Sequence, residues 1–133
     1  MSGFLTRVSA ARFVVPIAGL LVAAMAAPAF AAGDAAAGKR VFRNVCSICH
    51  SNVKGQNRIG PSLFGVVGRE TGSEPGYSYS SANKAAHITW TPEVLDKYLE
   101  APRKMIPGTK MTYAGLKDAK KRADLIAYLE TLK

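Results

Sequence analysis

Acidic side chains are scarce in this sequence: nine stand against eighteen lysines and arginines, for a formal charge of +9. Cysteines number two, too few for a disulfide-stapled scaffold. Tryptophan occurs once, and no stretch alternates polar and apolar residues convincingly enough to suggest a sheet. With 133 residues there is room for one small domain, which excludes a multidomain enzyme. Apolar residues are plentiful at 48%, against 20% charged, so a packed globule is expected rather than a disordered basic tail.

The amino end runs in the order basic, apolar, small. Arg7 and Arg12 come without an acid, Phe13 to Met25 is apolar, and Ala29-Phe30-Ala31 has the small-x-small pattern of a cleavage site. Residues 1–31 are therefore read as a cleavable secretory signal peptide and 32–133 as the functional domain. Cleavage leaves 102 residues and, with both leader arginines gone, a charge of +7. The competing reading is a retained anchor, since Phe13 to Ala32 approaches the roughly 20 residues that span a bilayer. Pro16, Pro28 and the many alanines weaken that span. Both readings export the domain from the cytoplasm.

In the remaining chain, Asp34 can cap a helix through about Val45, with Val41, Phe42 and Val45 on one stripe. Gly38 on that helix offers bare backbone for a close helix crossing. From Gly55 to Gly76 six glycines and two prolines predict irregular loop. Thr91-Pro92-Glu93 opens a helix that Pro102 stops, and its apolar face is Val94, Leu95, Tyr98 and Leu99. A last helix from about Asp118 to Leu132 gathers Leu125, Ile126, Tyr128, Leu129 and Leu132 on one broad side. Its basic run Lys120-Lys-Arg122 is expected to be a solvated face. The fold class is all-α. Phe42, Phe64, Trp90 and five tyrosines are a small stock for an interior, so a bound group is expected to help fill the centre.

Cys46-Ser-Ile-Cys49-His50 carries the chemistry. Two thiols three residues apart on one helical turn can each add to a vinyl group of one haem, and the adjacent histidine is then directed at the iron. A zinc site would need four ligands, and beyond this motif the chain offers only His87. A thioredoxin-like pair would need a βαβ surround that is absent. The second axial position must be filled from far along the chain. Met105 and Met111 are the thioethers left after leader removal, and His87 is a nitrogen alternative. The turn-rich Pro107-Gly-Thr-Lys before Met111 could bend it back over the ring, whereas Met105, close behind Pro102, is better placed to pack.

Taken together, Cys46-x-x-Cys-His50, Gly60-Pro-Ser-Leu63, Gly68-Arg69-x-Thr-Gly72, Tyr77-Ser-Tyr79, Ala82-Asn83-Lys84, Ile88-Thr-Trp90, Tyr98-Leu-Glu100-x-Pro102, Ile106-Pro-Gly-Thr-Lys-Met111 and Asp124-Leu-Ile-Ala-Tyr-Leu129 resemble class I cytochrome c, of the mitochondrial-like bacterial type. The match runs in order through essentially the whole domain. It implies a small all-α fold whose first and last helices cross, with loops wrapping one covalently bound haem c.

By that resemblance His50 and Met111 are the iron ligands, and Cys46 and Cys49 the thioether residues. Pro61 accepts a bond from the proximal imidazole. Arg69, Tyr79, Asn83 and Trp90 surround the haem propionates, and Tyr98 and Thr109 lie near the distal sulfur. Gly38, Phe42, Leu125 and Tyr128 form the helix crossing. In isolation Trp90 and Tyr79 would be ordinary core aromatics and Arg69 a loop cation; the ordered match gives them these roles. His87 has no counterpart as a ligand and is read as a loop histidine. Val45, Met105 and Tyr113 depart from the common pattern.

An iron filled by imidazole and thioether has no open position for substrate, so the resemblance implies a one-electron carrier of high potential and not an enzyme. The implied partners are acidic patches on a quinol-cytochrome c reductase-like donor and on a terminal oxidase or photosynthetic reaction centre, with a respiratory chain as the setting. Arg58, Arg103, Lys104, Lys110 and Lys117 would rim the docking edge, extended by Lys39, Arg43 and Lys54. A haem peroxidase would need a displaceable sixth ligand. A nucleic-acid binder would need a recognition or stacking pattern that is missing.

Overall fold

The computed structural model describes residues 32–133 and Gly3; the rest of the expected leader lies outside the described residues. The domain is helical, as expected. Its elements are α1 (Ala35–Val41), a π-helical turn (Phe42–Cys46), α2 (Ser81–Ala85), α3 (Pro92–Glu100), α4 (Pro102–Met105) and α5 (Ala119–Glu130). Among the described residues the only β pairing is an isolated antiparallel bridge between Glu70 and Thr89. No helix among them is long and apolar enough to cross a membrane.

Local chemistry accounts for the helix ends. Asp34 Oδ1 accepts from the Ala36 and Ala37 amides at 2.8 and 3.3 Å, satisfying donors that the first turn of α1 leaves free. Thr91 Oγ1 accepts from the Val94 amide at 3.3 Å, with Pro92 in the first helical position of α3. Ala101, held out of the helical region ahead of Pro102, ends that helix at φ −154° and ψ 72°. Asp118 caps α5 by accepting from the Lys121 amide at 3.1 Å.

The first helix does not continue in α form to Val45. After Val41 it widens, and the Ser47 amide bonds to the Phe42 carbonyl five residues back at 2.9 Å. Such wider turns insert a residue and commonly sit at functional sites. Here the insertion directly precedes the Cys46–His50 turn. The short helices α2 and α4 were not legible as periodic segments, since neither is longer than five residues.

The core is an α5-centred cluster, with α1 and α3 both packed against α5. Leu125, Ile126 and Leu129 are buried beside Phe42, Leu95, Tyr98, Trp90 and Tyr128. Phe42 and Tyr128 pack with tilted rings at a centroid distance of 5.5 Å, and Trp90 and Tyr98 likewise at 4.6 Å, separations at which aromatic pairs add to simple burial. Phe64, Tyr77, Tyr79 and Tyr113 remain partly exposed.

Gly38 is where α1 meets α5. A β-carbon there would stand 1.8 Å from the Asp124 carbonyl oxygen, so only a bare backbone allows the crossing.

The run Lys120-Lys-Arg122 is not uniformly a solvated face. Lys120 and Lys121 are exposed, but Arg122 is 6% exposed. Its Nε donates to Asp96 on α3 at 2.7 Å, and one terminal nitrogen donates to the Leu116 and Lys117 carbonyls at 2.9 and 3.0 Å. A buried guanidinium persists only with such partners, and here it ties the α5 start to α3. Asp124 is also buried, accepting from Lys120 Nζ at 2.7 Å and from the Asp34 amide at 2.8 Å.

Candidate functional site

One cavity of about 480 Å³ opens beside this core, within the ~300–1,000 Å³ usual for cofactor sites. Every candidate site residue lines it: Cys46, Cys49, His50, Pro61, Arg69, Tyr79, Asn83, Trp90, Tyr98, Thr109 and Met111. They come from the Cys46–His50 turn, the long loop, α2, α3 and the segment after α4. Met105 and His87 are not among its lining residues. Met105 packs against the core cluster, while His87 is exposed at φ 47° with Nδ1 2.9 Å from Glu70 Oε1.

Beyond the π-helical turn the backbone tightens again. The Cys49 and His50 amides both bond to the Cys46 carbonyl, at 3.1 and 2.9 Å, so the motif forms one compact turn. Both thiols are free and half-buried. Burial, with a lesser contribution from Cys49, pushes the Cys46 thiol up to about 11, keeping it a neutral thiol at physiological pH.

His50 Nδ1 lies 2.8 Å from the Pro61 carbonyl oxygen. A carbonyl can only accept, so the proton sits on Nδ1 and Nε2 keeps its lone pair. Burial is the main reason the imidazole is held below its ordinary pKa, against the Pro61 contact and with a smaller push from Arg69. The side chain is thus prepared as a neutral nitrogen donor.

Tyr98 Oη donates to Met111 Sδ at 3.9 Å, and burial pushes the phenol up to about 12, so it stays a donor. Met111 reaches the cavity wall from a loop whose Met111 amide bonds to Thr109 Oγ1 at 3.3 Å.

Arg69 spreads its fork beneath the long loop. One terminal nitrogen donates to the Phe64 carbonyl at 3.2 Å and to Glu74, and the other donates to the Ser62 carbonyl at 2.8 Å. Its Nε is buried without a partner. A donor in that state is costly unless a bound group completes it.

Of the basic residues expected to rim the site, Lys110 lines the cavity, with Nζ bonded to the Ser78 carbonyl at 3.1 Å. Arg58 adjoins the lining residue Ile59 and donates to the Ser47 carbonyl at 3.2 Å. Lys117 bonds to the Glu100 carbonyl, while Arg103 and Lys104 are exposed on α4. Sequence reasoning missed Glu74 and Val66, and did not place Leu95, Leu125 and Leu129 on the cavity wall. The leucines on the helices were visible as core candidates. No local pattern marked Glu74 as the partner of Arg69.

A helical shell around one mostly apolar cavity, with a thiol pair and a neutral imidazole on its wall, defines a protein built around a covalently attached porphyrin. The comparisons with known proteins agree. Residues 35–133 match the family model for cytochrome c. The chain is 59% identical over 101 residues to cytochrome c2 of Rhodopila globiformis, covering 76% of this chain and 95% of that protein. It is 50% identical over 111 residues to cytochrome c2 of Blastochloris viridis, with coverages of 83% and 86%. The solved structure of cytochrome cH from Methylobacterium extorquens superposes with a TM-score of 0.70 at 45% identity, over 74% of this chain and 99% of that one.

The chain belongs to the cytochrome c family, as an all-α electron-transfer protein, not an enzyme, that carries one covalent haem c. The residues present fit that group: two free thiols one helical turn apart, an apolar cavity, and the Arg69 guanidinium, whose buried Nε is a donor to spare.

Proposed function

We propose that the protein is a periplasmic one-electron shuttle whose haem iron would be ligated by His50 and Met111. A quinol-cytochrome c reductase-like complex is the donor, and a terminal oxidase or photosynthetic reaction centre the acceptor. The observation that carries the reading is that Cys46, Cys49, His50 and Met111 line a single cavity, with the Tyr98 hydroxyl on the Met111 sulfur. When bound, the haem supplies a one-electron couple. The protein's part is to hold and seal it. Pro61 orients the His50 ring with Nε2 free, and Tyr98 and Thr109 steady the Met111 segment. Leu95, Leu125 and Leu129 keep water from the interior, which disfavours added positive charge and favours a high potential.

Export through cleavage after Ala31 completes the reading and suits a covalent haem protein whose thiols face an oxidising compartment. Docking is assigned to Arg58, Arg103, Lys104, Lys110 and Lys117, all exposed, facing acidic surfaces on the partners.

The test is the optical spectrum of the purified protein. The expected result is sharp reduced bands and a weak far-red ferric band of sulfur ligation, which the Met111→Ala variant loses. Ready binding of carbon monoxide by the reduced protein would overturn the axial assignment.

A further inference from the structure

Of the chain's five glutamates, Glu70, Glu93, Glu100 and Glu130 are exposed, and Glu74 alone is not. Its side chain is 9% exposed and forms an ion pair with Arg69, itself 15% exposed. The Glu74 amide donates to Tyr79 Oη at 3.3 Å, and both Tyr79 and Arg69 line the cavity. This carboxylate has no part in the function described above.

Besides His50, two basic side chains line the cavity, Arg69 and Lys110. Lys110 is exposed and its ammonium is bound to the Ser78 carbonyl. Arg69 is the sheltered one, and its buried Nε still lacks an acceptor. Haem carries two carboxylates, so Arg69 is the group best suited to receive one of them. The same guanidinium is already bound by Glu74. Away from bulk water, charges act on one another more strongly than in solvent, so this pairing is felt inside the site.

We propose that Glu74 is a positioning residue that sets the redox potential of this cytochrome. Its carboxylate anchors one arm of the Arg69 fork, leaving Nε for the cofactor, and offsets part of the Arg69 charge. The ferric state has one more positive charge than the ferrous state. A sheltered anion therefore favours the ferric state, and an unbalanced cation favours the ferrous state. Loss of the Glu74 charge acts in one direction on both counts: the midpoint potential rises.

The inference rests on the covalent haem and on Arg69 facing a haem carboxylate, and it does not depend on Met111. A parent spectrum without the sulfur band would remove the axial assignment and leave this test standing. The experiment compares midpoint potentials of the haem-loaded parent, Glu74→Gln and Glu74→Asp at neutral pH and low ionic strength. Glu74→Gln is expected to rise above the parent with its absorption spectrum retained, while Glu74→Asp, which keeps the charge, stays nearer the parent. A Glu74→Gln potential equal to or below that of the parent overturns the proposal.

Should Glu74→Gln fail to retain haem, the parent itself supplies the readout. Ferric-minus-ferrous infrared difference spectra of protein labelled with carbon-13 glutamate should show a carboxylate band that moves with oxidation state. Absence of any glutamate band would equally overturn the assignment.

Discussion

The His50 ring lies so close to Gly60 that a β-carbon at residue 60 would stand 2.3 Å from Cε1 and 2.6 Å from Nδ1. The same ring bonds to the carbonyl of the next residue, Pro61. Gly60 is therefore a condition for the imidazole's orientation, and not a simple turn glycine.

Gly60→Ala should push the His50 ring off the Pro61 carbonyl. Overpacking of this kind costs about 1–3 kcal/mol, and here the strain falls on the proposed iron ligand. The expected outcome is a reduced yield of haem-loaded protein and an altered absorption spectrum. A variant with the parent's yield and spectrum would show that the ring has room to move.

Gly38→Ala probes a purely structural contact. The added methyl meets backbone of α5 at 1.8 Å, and backbone cannot rotate aside as a flexible side chain can. A loss of about 3 kcal/mol is expected, lowering the thermal midpoint on the order of 10 °C. Circular dichroism melts of parent and variant decide it, and coincident melts refute it.

Asp124 should make stability depend on acid. Lys120 is the first cause, and the Asp34 amide the second, that holds this carboxyl below its usual pKa. Because the unfolded chain binds the proton more readily, the contribution is fully present above the unfolded value of about 3.9 and fades as pH falls through the folded value. Asp124→Asn should therefore be less stable than the parent at neutral pH, with the gap narrowing below about pH 4. Urea unfolding of both proteins across that range tests this, and a gap independent of pH would contradict it.

Ionic strength should govern reaction with acidic redox partners. Exposed charges are screened beyond about 10 Å at 0.1 M salt, so steering by Arg58 and Lys110 weakens as salt rises. Second-order rates are expected to fall several-fold from low to physiological salt, with a shallower slope in Arg58→Gln and Lys110→Gln. Stopped-flow rates that stay flat would remove the docking assignment.

Local signals were legible wherever a residue acts on its own neighbourhood. Asp34 and Thr91-Pro92 marked two helix starts because a cap bonds amides two or three residues away, and the last helix was legible from its apolar side. The Cys46–His50 spacing announced the cofactor because both thiols must reach one ring from one turn. The π-helical widening at Phe42–Cys46 was not legible, since a shift of a single hydrogen bond leaves no periodic trace. Arg122 was misread for a related reason: a cation beside two lysines looks solvated until Asp96, 26 residues earlier, is brought against it.

The amino-acid sequence alone determined the helical class, the haem attachment turn and the set of residues able to serve it. The first two depend on spacing along the chain and on the chemistry of individual side chains, and the third on the resemblance of the ordered motifs to class I cytochrome c. Tertiary folding decided which thioether lines the cavity, that Glu74 rather than solvent meets Arg69, and that Gly60 admits the imidazole. Each of these is a contact between segments remote in sequence or a steric limit set by a neighbour, and only the folded chain brings the partners within range.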